Sequence, residues 1–144
     1  MVPAAGRLAW LDHPSQVDSR DWDALVAGIE GGTPFLRHGF LTAMVDSGSA
    51  CVGSGWQPRF IVVRDAQERL LGACPVFLKS HSYGEYVFDW AWADAYQRHG
   101  LAYYPKLLGA VPFTPVPGTR LLARSDAGRD VLVAALHRLA LDGQ

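Results

Sequence analysis

Apolar positions recur along this chain with two periods, and the change of period marks its elements. Trp22, Leu25, Val26 and Ile29 fall at i, i+3, i+4 and i+7, one face of a helix. Asp18 or Ser19 caps that helix, and Asp21 in its first turn suits the positive end of the dipole. Gly31-Gly32 is expected to stop it. Before it, Leu8 to Leu11 predicts a first strand, broken by His13-Pro14. After it, Thr33-Pro34 starts a second helical segment. Its apolar side is Phe35, Leu36, Phe40, Leu41, Met44 and Val45, and Gly48 ends it. Residues 48–55, G-S-A-C-V-G-S-G, predict a loop.

From there the pattern turns β. Gln57 to Arg64 contains F-I-V-V and predicts a strand. A polar turn at 65–68 leads into Leu70 to Lys79 as its hairpin partner. Pro75 has no N–H for the ladder, so a bulge or an edge is expected there. Tyr83-Gly84 turns the chain, and Glu85 to Asp89 predicts a third strand. In that strand Glu85, Val87 and Asp89 share one face, and Tyr86, Phe88 and Trp90 the other. The rings would then enter the core and the carboxylates face a cleft. Trp92 to His99 predicts a short helix stopped by Gly100. The four prolines of residues 104–118 forbid a long element there. Leu107 to Phe113 is a buried strand or a helical turn followed by an extended piece, and Arg120 to Ala123 is a short strand. A terminal helix, capped by Ser125 or Asp126, sets Leu132, Leu136 and Leu139 on one face and runs to about Leu141. The sum is one α+β domain over residues 1–144, with a mainly antiparallel sheet flanked by helices.

Composition narrows the class. With 49% apolar and 19% charged residues the chain is globular rather than disordered. A formal charge of −1 without a Lys/Arg cluster argues against DNA as a partner. No apolar run is long enough to span a membrane, and the N-terminus has no continuous apolar core of a signal peptide. Cys51 and Cys74 lack metal spacing, so a reduced, cytoplasmic protein is expected.

Candidate chemistry concentrates between Lys79 and Tyr104. This stretch holds all five Tyr, two of the five Trp and two of the five His, interleaved with Glu85, Asp89 and Asp94. Such a mixture fits a surface that binds a ligand while excluding water. His81, Glu85 and Asp89 would share a face only on a helix, which Tyr83-Gly84 and Val87-Phe88 disfavour, so no metal site is expected. Lys79 and Lys106, the only lysines, flank the stretch and suit a carboxylate or phosphate of a ligand.

Four blocks carry a resemblance: P-F-L-R-H-G-F-L at 34–41, G-W-Q-P-R at 55–59, L-K-S-H-S-Y-G-E-Y-V-F-D-W-A-W-A-D-A-Y at 78–96 and Y-Y-P-K-L-L-G-A-V-P-F-T-P-V-P-G-T-R-L-L at 103–122. They resemble the FemAB-like family of bacterial N-acyltransferases, associated with peptidoglycan biosynthesis or recognition. The resemblance implies a GNAT (acyl-CoA N-acyltransferase-like) fold. It also implies transfer of an acyl or aminoacyl group, from acyl-CoA or aminoacyl-tRNA, to an amine of a peptidoglycan-type precursor. No tightly bound cofactor is expected. Members of the family have a second GNAT-like half, so the chain reads as an N-terminal half that works with such a half or as a homodimer. The alternative is a non-catalytic module that recognises a peptidoglycan fragment or pairs with a second chain.

Transfer to an amine needs a base and a donor that steadies the oxyanion. Glu85, Asp89, Asp94, His81 and His99 are the base candidates, with Glu85, Asp89 and Tyr86 placed in the catalytic role. Lys79, His81, Tyr83, Trp90, Trp92, Asp94, Tyr96, Tyr103, Tyr104 and Lys106 are assigned to the acceptor. Gln97 to Ala102 matches the acyl-CoA string [Q/R]-x-x-G-x-[G/A] but ends a helix instead of opening one. Arg120, Arg124 and Gly128, ahead of the terminal helix, are the better candidates for a donor's anion.

Overall fold

The computed structural model describes residues 6–142. In chain order these form β1 (Arg7–Leu11), α1 (Ser19–Ala27), α2 (His38–Asp46), β2 (Trp56–Pro58), β3 (Phe60–Arg64), β4 (Leu70–Cys74), β5 (Phe77–Lys79), α3 (Trp90–Arg98), β6 (Lys106–Leu108), β7 (Leu122–Ala123) and α4 (Asp126–Asp142). The architecture is α+β, with two antiparallel sheets ordered β1-β3-β4-β7 and β2-β5-β6.

The sheets are two ends of one broken hairpin. Trp56 pairs with Lys79 and Pro58 with Phe77 in the smaller sheet, while Ile61 pairs with Cys74 in the larger. Between them the Arg59 N–H donates to the Val76 carbonyl at 2.8 Å, so pairing survives the break. Pro75 therefore marks neither a simple bulge nor a sheet edge. It lies where the strand passes from one sheet to the other, and its missing N–H is tolerated there.

The larger sheet is covered on both faces. Phe60 and Val62 face Trp22, Leu25, Val26 and Leu41 of α1 and α2. Ile61 and Val63 face Leu132 and Ala135 of α4. The first four of the five β3 residues are therefore buried, which explains a continuous F-I-V-V run in place of alternation. Trp22 also donates its indole N–H to the Leu36 carbonyl at 2.8 Å, tying α1 to the turn before α2.

Several boundaries differ from the sequence expectation. Helix α1, capped by Asp18, ends at Gly28 rather than at Gly31-Gly32. Gly32 instead crosses the end of that helix, where a Cβ would lie 2.3 Å from the Val26 carbonyl oxygen. The second helical segment divides into a 3-10 turn, Pro34–Leu36, and α2, with extended Arg37 between them. Residues 85–89 form no strand. Both edges of β5 are already taken, by β2 and β6, so this segment cannot pair back onto the strand it leaves. Only Lys106–Leu108 of the 107–113 region is regular, and the 120–123 strand shortens to two residues. α4 starts where Ser125 Oγ accepts the Gly128 N–H at 3.1 Å, and it buries Leu132 and Ala135.

Candidate functional site

Residues 80–89 leave β5 as a series of turns that lie beside β6. What fixes them is side-chain bonding to buried polar groups. Ser82, 2% exposed, accepts the Asp89 N–H at 3.2 Å and bonds the Tyr104 hydroxyl at 2.5 Å. The Tyr83 carbonyl accepts from the Trp56 indole at 3.1 Å and from Lys79 Nζ at 2.8 Å. Gly84 follows with φ of +82°. A Cβ there would sit 2.4 Å from Phe113 and 2.8 Å from the Trp56 nitrogen, so glycine alone fits this approach.

The turns carry two carboxylates onto one cation. Lys106 Nζ donates to Glu85 Oε2 at 2.7 Å and to Asp89 Oδ2, which also accepts the Tyr103 hydroxyl at 2.8 Å. The bond from Lys106 holds the Asp89 carboxyl below its usual range, against burial and with help from Tyr103. Burial opposes charge on Lys106, yet Asp89 and Glu85 outweigh it and raise its pKa. Burial first, then Asp89, pushes the Tyr103 phenol up to about 12. Lys79 differs from Lys106: its side chain is fully buried, with Nζ 3.9 Å over the Trp56 ring and 4.0 Å from Glu85 Oε1. Burial pushes Lys79 down to about 8, against the pull of Glu85.

Beside this network lies a cleft of about 500 Å³. Glu85, Tyr86 and Val87 line it with Trp56, Leu108, Val111, Phe113, Val116 and Arg120. Glu85 Oε1 is buried and has no hydrogen-bond donor among the described residues. Arg120 donates to the carbonyls of Val116, Gly118 and Thr119, and burial lowers its pKa.

The expected polarity of residues 85–90 is reversed. Tyr86 is 84% and Trp90 62% exposed, whereas the Glu85 side chain is 9% exposed. A loop need not alternate like a strand, and the ion pairs with Lys106 draw the carboxylates inward. Phe88 stacks on Trp90 at 5.0 Å with both rings at the surface.

The structure thus brings together Lys79, Glu85, Asp89, Tyr103, Tyr104 and Lys106, with Tyr83 joining through its carbonyl. Tyr86 stands on the cleft wall. Of the other assigned residues, His81 touches the network through its Nδ1, which accepts the Tyr83 N–H at 3.2 Å, and the rest lie apart from it. His81 packs its ring against Gly55, Asp94 pairs with Arg98 on the outer side of α3, and Trp92 is exposed. Tyr96 reaches the network only through an edge contact with the Tyr103 ring at 5.1 Å. His99 and Gly100 form the end of α3, where the Leu101 N–H returns to the Tyr96 carbonyl. The three residues assigned to the donor separate. Arg120 lines the cleft, Arg124 reaches the Ala24 carbonyl of α1 at 3.3 Å, and the Gly128 N–H is used by Ser125. Gly128 also packs α4 on β7, since a Cβ would lie 3.1 Å from that of Ala123. Ser82 and Trp56 were not singled out as site residues. Trp56 lies 27 positions before its partner Tyr83, and its one signal was its place in the G-W-Q-P-R block.

Among curated proteins none matches the chain, and no solved structure matches it either. One family description does match. It covers residues 13–143, nearly the whole chain, and is given as peptidoglycan biosynthesis/recognition. The four sequence blocks, three of which line the cleft, therefore lie within a single match, and the chain belongs to the FemAB-like family.

Proposed function

We propose that this domain holds the amine-bearing acceptor of an N-acyl or aminoacyl transfer, a peptidoglycan-type precursor, in the cleft beside Glu85. Acyl-CoA or aminoacyl-tRNA is the donor in this scheme, and the fold is of the GNAT type, in keeping with helices packed on antiparallel sheets. The observation that carries it is the composition of the cleft wall. The nearly buried Glu85 carboxylate adjoins an apolar floor and a guanidinium, as expected where a polar ligand with aliphatic parts docks. Family membership supplies the class of ligand. Glu85 directs the amine N–H, Lys106 fixes Glu85, Asp89 fixes Lys106, and Tyr86 forms the rim.

The test is calorimetric titration of the full chain with a disaccharide-peptide muropeptide and, separately, with acetyl-CoA. Saturable muropeptide binding is expected, weakened by Thr114→Trp, which fills the cleft. Acetyl-CoA binding that Thr114→Trp abolishes, with no muropeptide binding, overturns the acceptor assignment.

One observation favours the second reading, a binding module without turnover. Lys106 occupies both carboxylates that would serve as base, and it holds Asp89 below the usual range. A general base works best with a pKa near the operating pH. Mass spectrometry of muropeptide incubated with the chain and either donor separates the two. Acylated product identifies a transferase, and binding without product identifies a module.

A further inference from the structure

The cleft is charged at two places and apolar between them. On one wall Glu85 gives Oε2 to Lys106 at 2.7 Å, which leaves Oε1 buried with Lys79 at 4.0 Å, too far for a hydrogen bond. The Glu85 side chain is 9% exposed and lines the cleft, so part of a poorly hydrated carboxylate is offered to an N–H there. Arg120 also lines the cleft, and it forms no ion pair with any carboxylate among the described residues. Its three bonds go to backbone carbonyls, two of them at 3.4 Å. A guanidinium has five N–H donors in a fork that suits a carboxylate, so Arg120 keeps donors to spare. Leu108, Val111, Phe113 and Val116 also line this cleft and offer no charge.

We infer that the cleft takes a zwitterionic, amino-acid-like unit, with its amine on the Glu85 carboxylate, its carboxylate on Arg120 and its aliphatic part on the apolar lining. The inference rests on the acceptor assignment above and narrows it. The acceptor carries a free carboxylate as well as the reacting amine, and Arg120 selects for that carboxylate. Arg120 is then a specificity residue for the acceptor instead of an anchor for the donor.

The experiment is calorimetric titration of the full chain with alanyl-lysine, its C-terminal amide and its ε-acetyl form, beside unmodified muropeptide. Amidation and ε-acetylation are each expected to weaken binding at least about tenfold, the loss of one charge-assisted hydrogen bond. In Arg120→Gln the preference for acid over amide disappears while the preference for free amine stays. In Glu85→Gln the pattern is the converse. Comparing two ligands on one variant keeps the result independent of small changes in stability, and Arg120→Lys, which retains a cation, preserves part of the acid preference. Acid and amide binding within about twofold on the native chain overturns the inference, as does an acid preference that survives Arg120→Gln. Muropeptide binding alongside either of those results leaves the acceptor assignment intact. Binding of neither peptide nor muropeptide overturns both.

Discussion

Lys106→Met deletes one charge and keeps most of the side chain's length. In the native chain that charge serves two carboxylates, Glu85 Oε2 at 2.7 Å and Asp89 Oδ2. The side chains of Lys106, Glu85 and Asp89 are 14%, 9% and 24% exposed, so water replaces the lost cation poorly. Removing one partner of a buried pair costs about 3–5 kcal/mol. Asp89 keeps the Tyr103 hydroxyl at 2.8 Å and some solvent, which places the expected loss near the low end. Urea unfolding followed by tryptophan fluorescence at about pH 7 should therefore show a loss of about 3 kcal/mol, a large part of the stability of a small domain. The loss should shrink in acid. The native Asp89 pKa lies below the unfolded one, so its contribution is present above the unfolded value of about 3.9 and disappears as pH falls through the folded value. Without Lys106 the buried carboxyl favours its protonated form, and the variant gains stability as pH falls. Adding Asp89→Asn to Lys106→Met should restore about 1–2 kcal/mol by removing the unpaired charge. A loss under about 1 kcal/mol that stays constant from about pH 7 to about pH 3 would refute the idea that Lys106 holds the turns of residues 82–89 in place.

Two further outcomes follow from neighbouring groups. The native Lys79 pKa of about 8 lies below the ordinary 10.5, so the unfolded chain binds more protons between those values and stability should rise with pH across that window. Lys79→Met should abolish that rise in a series of melting temperatures; an unchanged pH profile would show that Lys79 is not its source. Gly84→Ala places a Cβ 2.4 Å from Phe113 at a φ of +82°, which should cost about 1–3 kcal/mol by chemical denaturation. The same change should weaken muropeptide binding, because Gly84 and Phe113 both line the cleft.

Much of the local structure was legible in the sequence because it depends on neighbours a few residues apart. The face of α1, its Asp18 cap, the start of α4 and the end of α3 at Gly100 follow from spacing and end chemistry alone. Of the aromatic and acidic stretch from Lys79 to Tyr104, residues 84–87 line a cleft, but most of that lining comes from Leu108 to Arg120, which the stretch does not include. The error at residues 85–89 arose because strand alternation presumes a ladder, and whether a free edge exists is not a local property. The position of Pro75 flagged an irregularity, yet the passage of one hairpin between two sheets needed both strands at once.

By itself the sequence determined the helices, the hairpin and the family blocks, since each is written in contiguous residues with short-range physical causes. Only the tertiary structure decided which charges meet. Lys106 lies 21 residues beyond Glu85, Trp56 lies 27 before Tyr83, and Arg120 shares a cleft with both Trp56 and Glu85. The direction of the carboxylates was settled there too, because a charge leaves water only where packing has already placed its counter-ion.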